Sequence, residues 1–367
     1  MEQIFIHLTS ILVFIGVLSV LIIVHEWGHF ITAKRLGVRV EKFSVGFGPK
    51  LYSRMINNTE FMVCLIPLGG YVKMAGDERS ECKGKSDEFF SKSPGKRALI
   101  VLNGPVVNFV LAYVSLVFVF VLGYPDLSSK IGKAMEGYPA YEAGLRVGDQ
   151  VVRVNDTKVE NWTELQKNIS QSEGNQIELT FIREGEEITT VIFPRIECLK
   201  NVFGQSKETR IVGIKPAEEI ITLKYNFGTS IVKAYQKLFE ITALTYKSLY
   251  FMLTGSMSAK ESMTGPIGIF YIVKSAAEMG FTHVLFIGGV ISASLAIFNL
   301  LPLIPLDGGH LFFLGIEKLR GKPLSHKVDE YIARVGFGLI LVLALFVFYN
   351  DFERFGWIEK INQIFFK

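Results

Sequence analysis

Charge is scarce in this chain. Only 20% of its 367 residues are Asp, Glu, Lys or Arg, against about 25% in an average soluble domain. The net surplus is +4, and no basic run carries interleaved aromatics, which argues against a nucleic-acid partner. Cysteine is scarcer. Cys64, Cys82 and Cys198 lie far apart and show no C-x-x-C spacing, so neither a disulfide framework nor a cysteine zinc site is expected. The N-terminal apolar run also lacks the marks of a cleaved leader. It opens Met1-Glu2-Gln3 rather than with basic residues, and no A-x-A-like site follows it. Its apolar core exceeds the roughly 7–15 residues of a leader, so it reads as a retained transmembrane helix.

Apolar residues are abundant: 49% of the chain, with 30 phenylalanines and a mean hydropathy of +0.34. Four stretches are candidate spans: Ile4–Val24, Ala98–Leu122, Val284–Leu301 and Val335–Phe348. The last is short, and tilt or local thinning of the bilayer accommodates it. Basic residues dominate between the first two spans, from Lys34 to Arg97, and again around Lys318, Arg320, Lys322 and Lys327. The positive-inside rule places both loops in the cytoplasm and the Tyr124–Phe281 insertion outside it.

Residues 42–76 read as strands. "FSVGFGPKLY" and "EFMVCLIPLGGYVKM" are rich in β-branched and aromatic residues, with a turn at Asn57-Asn58-Thr59 and a bend at Gly69-Gly70. The apolar content suggests a hairpin dipping into the membrane, which non-helical backbone does only where protein or water shields it. In the insertion, short strands alternate with a helix from Trp162 and a hairpin about Glu184–Glu186. This resembles a PDZ domain, most specifically in A-G-L-x-x-G-D at Ala143–Asp149. Such domains accept an extended peptide as an added strand, here expected along Lys130–Ala134; the alternative is a domain that only shields the mouth of the active site. An amphipathic stretch, Ile220–Leu253, fits a helix lying on the membrane surface.

The chemistry sits in "VLIIVHEWGHFITAK", Val20–Lys34. His25, Glu26 and His29 spell H-E-x-x-H: four residues apart on a helix, the two imidazoles can direct nitrogens at one ion. Glu26 is close enough to accept a proton from the attacking water and deliver it to the leaving amine. An ionisable residue at such depth costs roughly 2.5–3.5 kcal/mol, and a metal is a compensating partner. Catalytic zinc takes three protein ligands. "AIFNLLPLIPLDGGHLFF" supplies candidates for the third in Asp307 and His310, on a stretch that its prolines and glycines unwind. The alternative for Asp307 is a helix cap.

Together these segments resemble the site-2 protease family of intramembrane zinc metalloproteases, in the bacterial regulator-of-sigma-E protease branch. The resemblance rests on H-E-x-x-H at 25–29, "FSVGFGP" at 43–49, "IPLGGYVKM" at 66–74, "GPVVNF" at 104–109, the PDZ-like segment, "GPIGIF" at 265–270 and "NLLPLIPLDGGH" at 299–310. It implies Asp307 rather than His310 as the third ligand, one Zn2+ per chain and Glu26 as the catalytic base. It also implies that Asn299 and Asn108 position substrate, and that residues 66–74, with Gly69 and Gly70, pair with an unwound substrate segment. Two departures stand out: a single PDZ domain where relatives often carry two, and Pro305 one position later than the usual P-x-P pattern.

The expected architecture is therefore a polytopic α-helical membrane protein with about four transmembrane helices, a membrane-associated β-hairpin region and one inserted PDZ domain. Its divisions are 1–123 (two spans, H-E-x-x-H and β region), 128–196 (PDZ), 218–254 (surface helix) and 264–350 (two further spans and the L-D-G motif). The expected function is a metalloendopeptidase of a bacterial inner membrane, cleaving single-pass membrane proteins such as an anti-sigma factor or remnant signal peptides. Its active site is expected toward the cytoplasm and the PDZ domain in the periplasm, with an extracytoplasmic substrate tail as PDZ ligand. Two alternatives belong to other classes: a catalytically silent PDZ scaffold, and a metal transporter using His25, His29 and Asp307 as a transit site.

Overall fold

The structure, a computed structural model, describes residues 2–200, 205–322 and 325–356. The chain divides into two compact units. The first holds residues 1–119, 230–247 and 259–367 and contains the four helices long and apolar enough to span a bilayer. Helix α1 (Glu2–Arg35) runs unbroken, so His25 and His29 lie within a long helix, close to its basic end at Lys34-Arg35. Two long strands follow, β1 (Val40–Ile56) and β2 (Thr59–Met74), joined by a turn whose Asn57 and Asn58 both have positive φ. Asparagine tolerates that region better than other side chains. Both strands fold over, so that Ser44 pairs with Tyr71 on one side and Met62 on the other. Their inner ends pack on α1 through Phe30, Ala33, Val40, Phe43 and Met74. At the far end Leu51, Tyr52, Met55, Val63 and Leu65 remain exposed.

Helix α2 (Pro94–Leu122) carries the second span. Beyond the second unit, α5 (Phe227–Leu253) is the amphipathic helix, capped by Asn226, whose side chain accepts from the Thr229 N–H. Residues 220–223 of the expected surface helix are instead a strand. After the short α6 (Ala259–Ser262), α7 (Pro266–Met279) packs against α1 and leads to the third span, α8 (Phe281–Asn299). Gly289, Ser292, Ala293 and Ala296 are buried on α8, the small-residue seam expected of close helix packing in lipid. A loop returns the chain to α9 (Asp307–Arg320), and α10 (His326–Arg354) supplies the fourth span. It is longer than the Val335–Phe348 run because Val328–Arg334 is already helical, so no bilayer thinning is needed.

The second unit holds residues 120–229 and 248–258. Its strands are β3 (Tyr124–Leu127), β4 (Ile131–Ala134), β5 (Gln150–Val154), β6 (Thr157–Lys158), β7 (Ile177–Arg183), β8 (Glu186–Ile192), β9 (Arg195–Lys200), β10 (Ser206–Ile211), β11 (Ile214–Pro216) and β12 (Ile220–Leu223), with helices α3 (Pro139–Glu142) and α4 (Trp162–Gln171). A four-stranded sheet in the order β6-β5-β7-β8 and α4 enclose Ile131, Val151, Leu165, Ile177, Leu179, Phe181 and Ile192. In the A-G-L-x-x-G-D stretch, Asp149 is buried, accepts from Arg146 N and is gripped at both oxygens by Arg183. The unit extends beyond the expected 128–196, because β11 pairs with β4 and β12 with β3. That pairing also corrects the expected peptide-receiving edge. Lys130–Ala134 is occupied: Ile131, Lys133 and Ala134 pair with β11, while Ile131 N donates to Asp149 O.

One polar device ties the first unit together near the end of the fourth span. Asp351 is fully buried and accepts from Gly265 N at 3.0 Å and Gly268 N at 2.9 Å, capping α7 from α10. Asp351→Ala leaves both donors buried and unpaired, and should cost about 1.5–3 kcal/mol, with Asp351→Asn, which keeps an acceptor, costing less. Thermal unfolding in detergent measures both, and equal melting temperatures for alanine and wild type would refute the capping role.

Candidate active site

The fold brings His25, His29 and Asp307 to one point. His25 Nε2 lies 3.2 Å from His29 Nε2, because residues four apart share a helix face. Asp307 Oδ2 comes from the other end of the chain to 3.2 Å from His25 Nε2 and 3.5 Å from His29 Nε2. Among the described residues this is the group whose donor atoms lie close enough to hold a metal ion. His310, one turn along α9, is not part of it. Nor is Asp307 a cap: it opens α9, but the preceding position makes no side-chain cap and its carboxylate turns to the histidines.

Three features of the chain force this approach. Gly28 sits so near α2 that a Cβ there would lie 2.5 Å from Asn103 O, and a Cβ on Gly104 would run into the rings of His29 and His25. On the third side, Gly308 and Gly309 let α9 start beneath its own loop, against the Leu300 and Leu301 carbonyls and Ile304 N. The second nitrogens of the two rings are engaged as well. His29 Nδ1 is 2.9 Å from Ile100 O, and His25 Nδ1 is 3.4 Å from the Asn108 side-chain nitrogen.

The donor set fits zinc. Asp307 Oδ2 is buried without a hydrogen-bond partner even though both Nε2 atoms are close. At zinc–ligand lengths of about 2.0–2.2 Å, tetrahedral donors stand about 3.3–3.6 Å from one another, close to the 3.2, 3.2 and 3.5 Å found. Three donors converging this way could hold a metal ion.

A cavity of 510 Å³ opens on the cluster, lined also by Glu26, Val72, Asp77 and Asn299. Glu26 lies on the wall beside the donors, with the Val72 N–H within reach of its carboxylate. A Cβ on Gly70 would stand 3.3 Å from Glu26 Cγ, so a glycine lets the strand lie flat against the site. Gly69 is turned away, with φ +153 and the Phe47 ring against it. Asp77 accepts from Met74 N at 3.0 Å, and burial pushes its carboxyl above the ordinary range. Asn299 lines the cavity, whereas Asn108 does not: it is fully buried behind His25. Sequence reasoning missed this placement, although Gly104 and Asn108, four apart in "GPVVNF", mark one face of α2.

Comparison with known proteins bears on this site directly. The profile of peptidase family M50 matches residues 13–343. The chain belongs to that family. This peptidase is an intramembrane zinc metalloprotease. It is 34% identical over 341 residues to a Campylobacter jejuni protein, covering 92% of each chain. It is 30% identical to the regulator of sigma-E protease RseP of Escherichia coli, covering 93% of this chain and 98% of the relative. It is 28% identical to the zinc metalloprotease RasP of Oceanobacillus iheyensis, covering 95% and 99%. The alignment with RseP runs over 446 positions, more than the 367 residues here, so that relative carries sequence this peptidase lacks.

Gly104→Ala should displace both imidazoles. We expect zinc retention through gel filtration to fall at least about tenfold while the protein stays folded in detergent; zinc content equal to wild type would contradict the close approach described.

Proposed function

We propose that His25, His29 and Asp307 hold one zinc ion per chain, and that Glu26 serves this peptidase as general base and then general acid. The spacing of the three donors about an unpartnered carboxylate oxygen carries the reading. Zinc, when bound, supplies Lewis-acid activation of water and of the scissile carbonyl. Glu26, on the cavity wall, takes the proton from the attacking water and returns it to the leaving nitrogen. The Val72 N–H steadies its carboxylate. Asn299, on the same wall, is placed to hydrogen-bond the substrate backbone.

The substrate is a single-pass membrane protein whose helix unwinds locally, cleaved within its span or at the cytoplasmic edge. A helix hides its carbonyls in its own hydrogen bonds, so unwinding must precede attack. Residues 66–74 of β2, with Gly70 against Glu26, offer backbone for pairing with the unwound segment. The exposed apolar end of the β1–β2 hairpin favours its immersion in lipid. Because the relatives named above are bacterial, the plasma (inner) membrane is the proposed location, with the basic loops and the site facing the cytoplasm. An anti-sigma factor or a remnant signal peptide has the required topology.

The second unit, at residues 120–229, is read as a PDZ-type domain on the extracytoplasmic side. Its groove is not the occupied Lys130–Ala134 edge. A cavity of 630 Å³ lies between α4 and residues 209–214, and a tail of an extracytoplasmic segment is the proposed occupant.

The test compares cleavage of a tagged single-pass protein by purified wild type and Glu26→Gln in detergent. Wild type should cut inside the span, while Glu26→Gln loses about 10²–10⁴-fold in rate and still binds one equivalent of zinc. Stripping zinc with a chelator should abolish cleavage, and adding one equivalent should restore it. Undiminished cleavage by Glu26→Gln would refute its role. Persistence of the cellular phenotype in that variant would favour a scaffold instead.

A further inference from the structure

A histidine that binds a metal through Nε2 as neutral imidazole carries its proton on Nδ1, and that N–H needs an acceptor. His29 has one: its Nδ1 faces the Ile100 carbonyl at 2.9 Å. His25 faces a side-chain amide instead. Asn108 Nδ2 stands 3.4 Å from His25 Nδ1, and the amide oxygen of Asn108 is buried without any partner. Asn108 itself is 0% exposed, and Ser292 Oγ donates to its backbone oxygen at 2.8 Å, fixing the residue between α2 and α8. A buried, unpartnered amide oxygen costs stability wherever no bond compensates, and here a half-turn about the amide would bring that oxygen to the ring nitrogen.

We infer that Asn108 is a positioning residue for the metal rather than a substrate contact. With a metal at Nε2, the amide oxygen of Asn108 accepts the Nδ1–H of His25, selecting the ligating tautomer and aiming the ring. In the arrangement seen here the same amide presents its nitrogen to Nδ1. An amide serves both states because it carries a donor and an acceptor at interchangeable positions. The inference rests on the metal-site reading above.

The experiment measures zinc affinity of full-length protein in detergent by competition with a chromogenic chelator, using Asn108→Leu, Asn108→Asp and His25→Ala. Leucine fills the space but accepts nothing, so affinity should fall roughly 10–100-fold. Aspartate can only accept, so it should bind zinc at least as tightly as wild type. This pattern separates an acceptor from a packing role, which leucine and aspartate would both preserve, and from a donor role, which aspartate would abolish. Wild-type affinity in Asn108→Leu, or a tenfold loss in Asn108→Asp, overturns the inference. If Asn108→Leu does not fold, the aspartate variant decides alone. Wild-type affinity in His25→Ala would sink the metal-site reading itself, whereas zinc loss there with none in Asn108→Leu sinks only the role of Asn108.

Discussion

Two imidazole nitrogens and a carboxylate oxygen lie within 3.5 Å of one another, and the buried carboxylate oxygen has no hydrogen-bond partner, an arrangement that a cation would stabilise. Much of the first unit exists to hold it. Gly28 and Gly104 let α1 and α2 approach closely, and Gly308 and Gly309 allow α9 to begin where its first residue reaches across. A methyl group at any of the four would meet backbone or a ligand ring. Small residues in transmembrane helices normally serve helix association. In this peptidase the same closeness sets the distance between ligands.

The second requirement is water beside apolar helices. The loop between α8 and α9 and the strand at Gly70–Val72 bring non-helical backbone to the cavity. Such backbone is tolerated at depth when protein encloses it or when it lines a wet space. Phe30 of α1 packs edge-on against Phe43 and Phe61, 5.5 and 5.6 Å between ring centroids, and fastens the hairpin to the helix. Glu26 therefore has rigid surroundings: its own helix on one side and a strand on the other. Rigidity of this kind matters for a base that must sit within about 3 Å of the proton it takes.

Much of this was legible in the sequence, for physical reasons. The four spans follow from run length and composition, and His25 and His29 from helical spacing. The Asn57-Asn58 turn and the β5–β8 strands follow from turn chemistry and alternation. Other features were hidden because they depend on contacts between distant segments. Nothing in Lys130–Ala134 reveals that β11, some eighty residues on, already occupies its edge. The sequence barely separates Asp307 from His310, and the resemblance favours Asp307; only the loop geometry shows which side chain comes within 3.5 Å of both imidazoles. For Asn108 the resemblance implies a substrate contact, and hydrogen bonding between helices is the alternative. It is the depth of its burial, which no single sequence displays, that moves it behind the ligand.

The competing readings differ in what they require of Glu26. A transit site for metal needs a ligand set that can release its ion and a polar path away from it. Here the three donors stand at zinc spacing, and the ring nitrogens behind them face fixed partners at Ile100 and Asn108. Preorganisation of that kind favours retention over passage. A silent scaffold needs no carboxylate beside the ion at all. An extra ionisable group at this depth carries a cost of several kcal/mol, and Gly70 keeps the strand flat enough for the carboxylate to stay on the cavity wall. The 510 Å³ cavity beside it is lined by Glu26 and by all three donors. Hydrolysis is the one function among the three that uses the donors, the carboxylate and the cavity together.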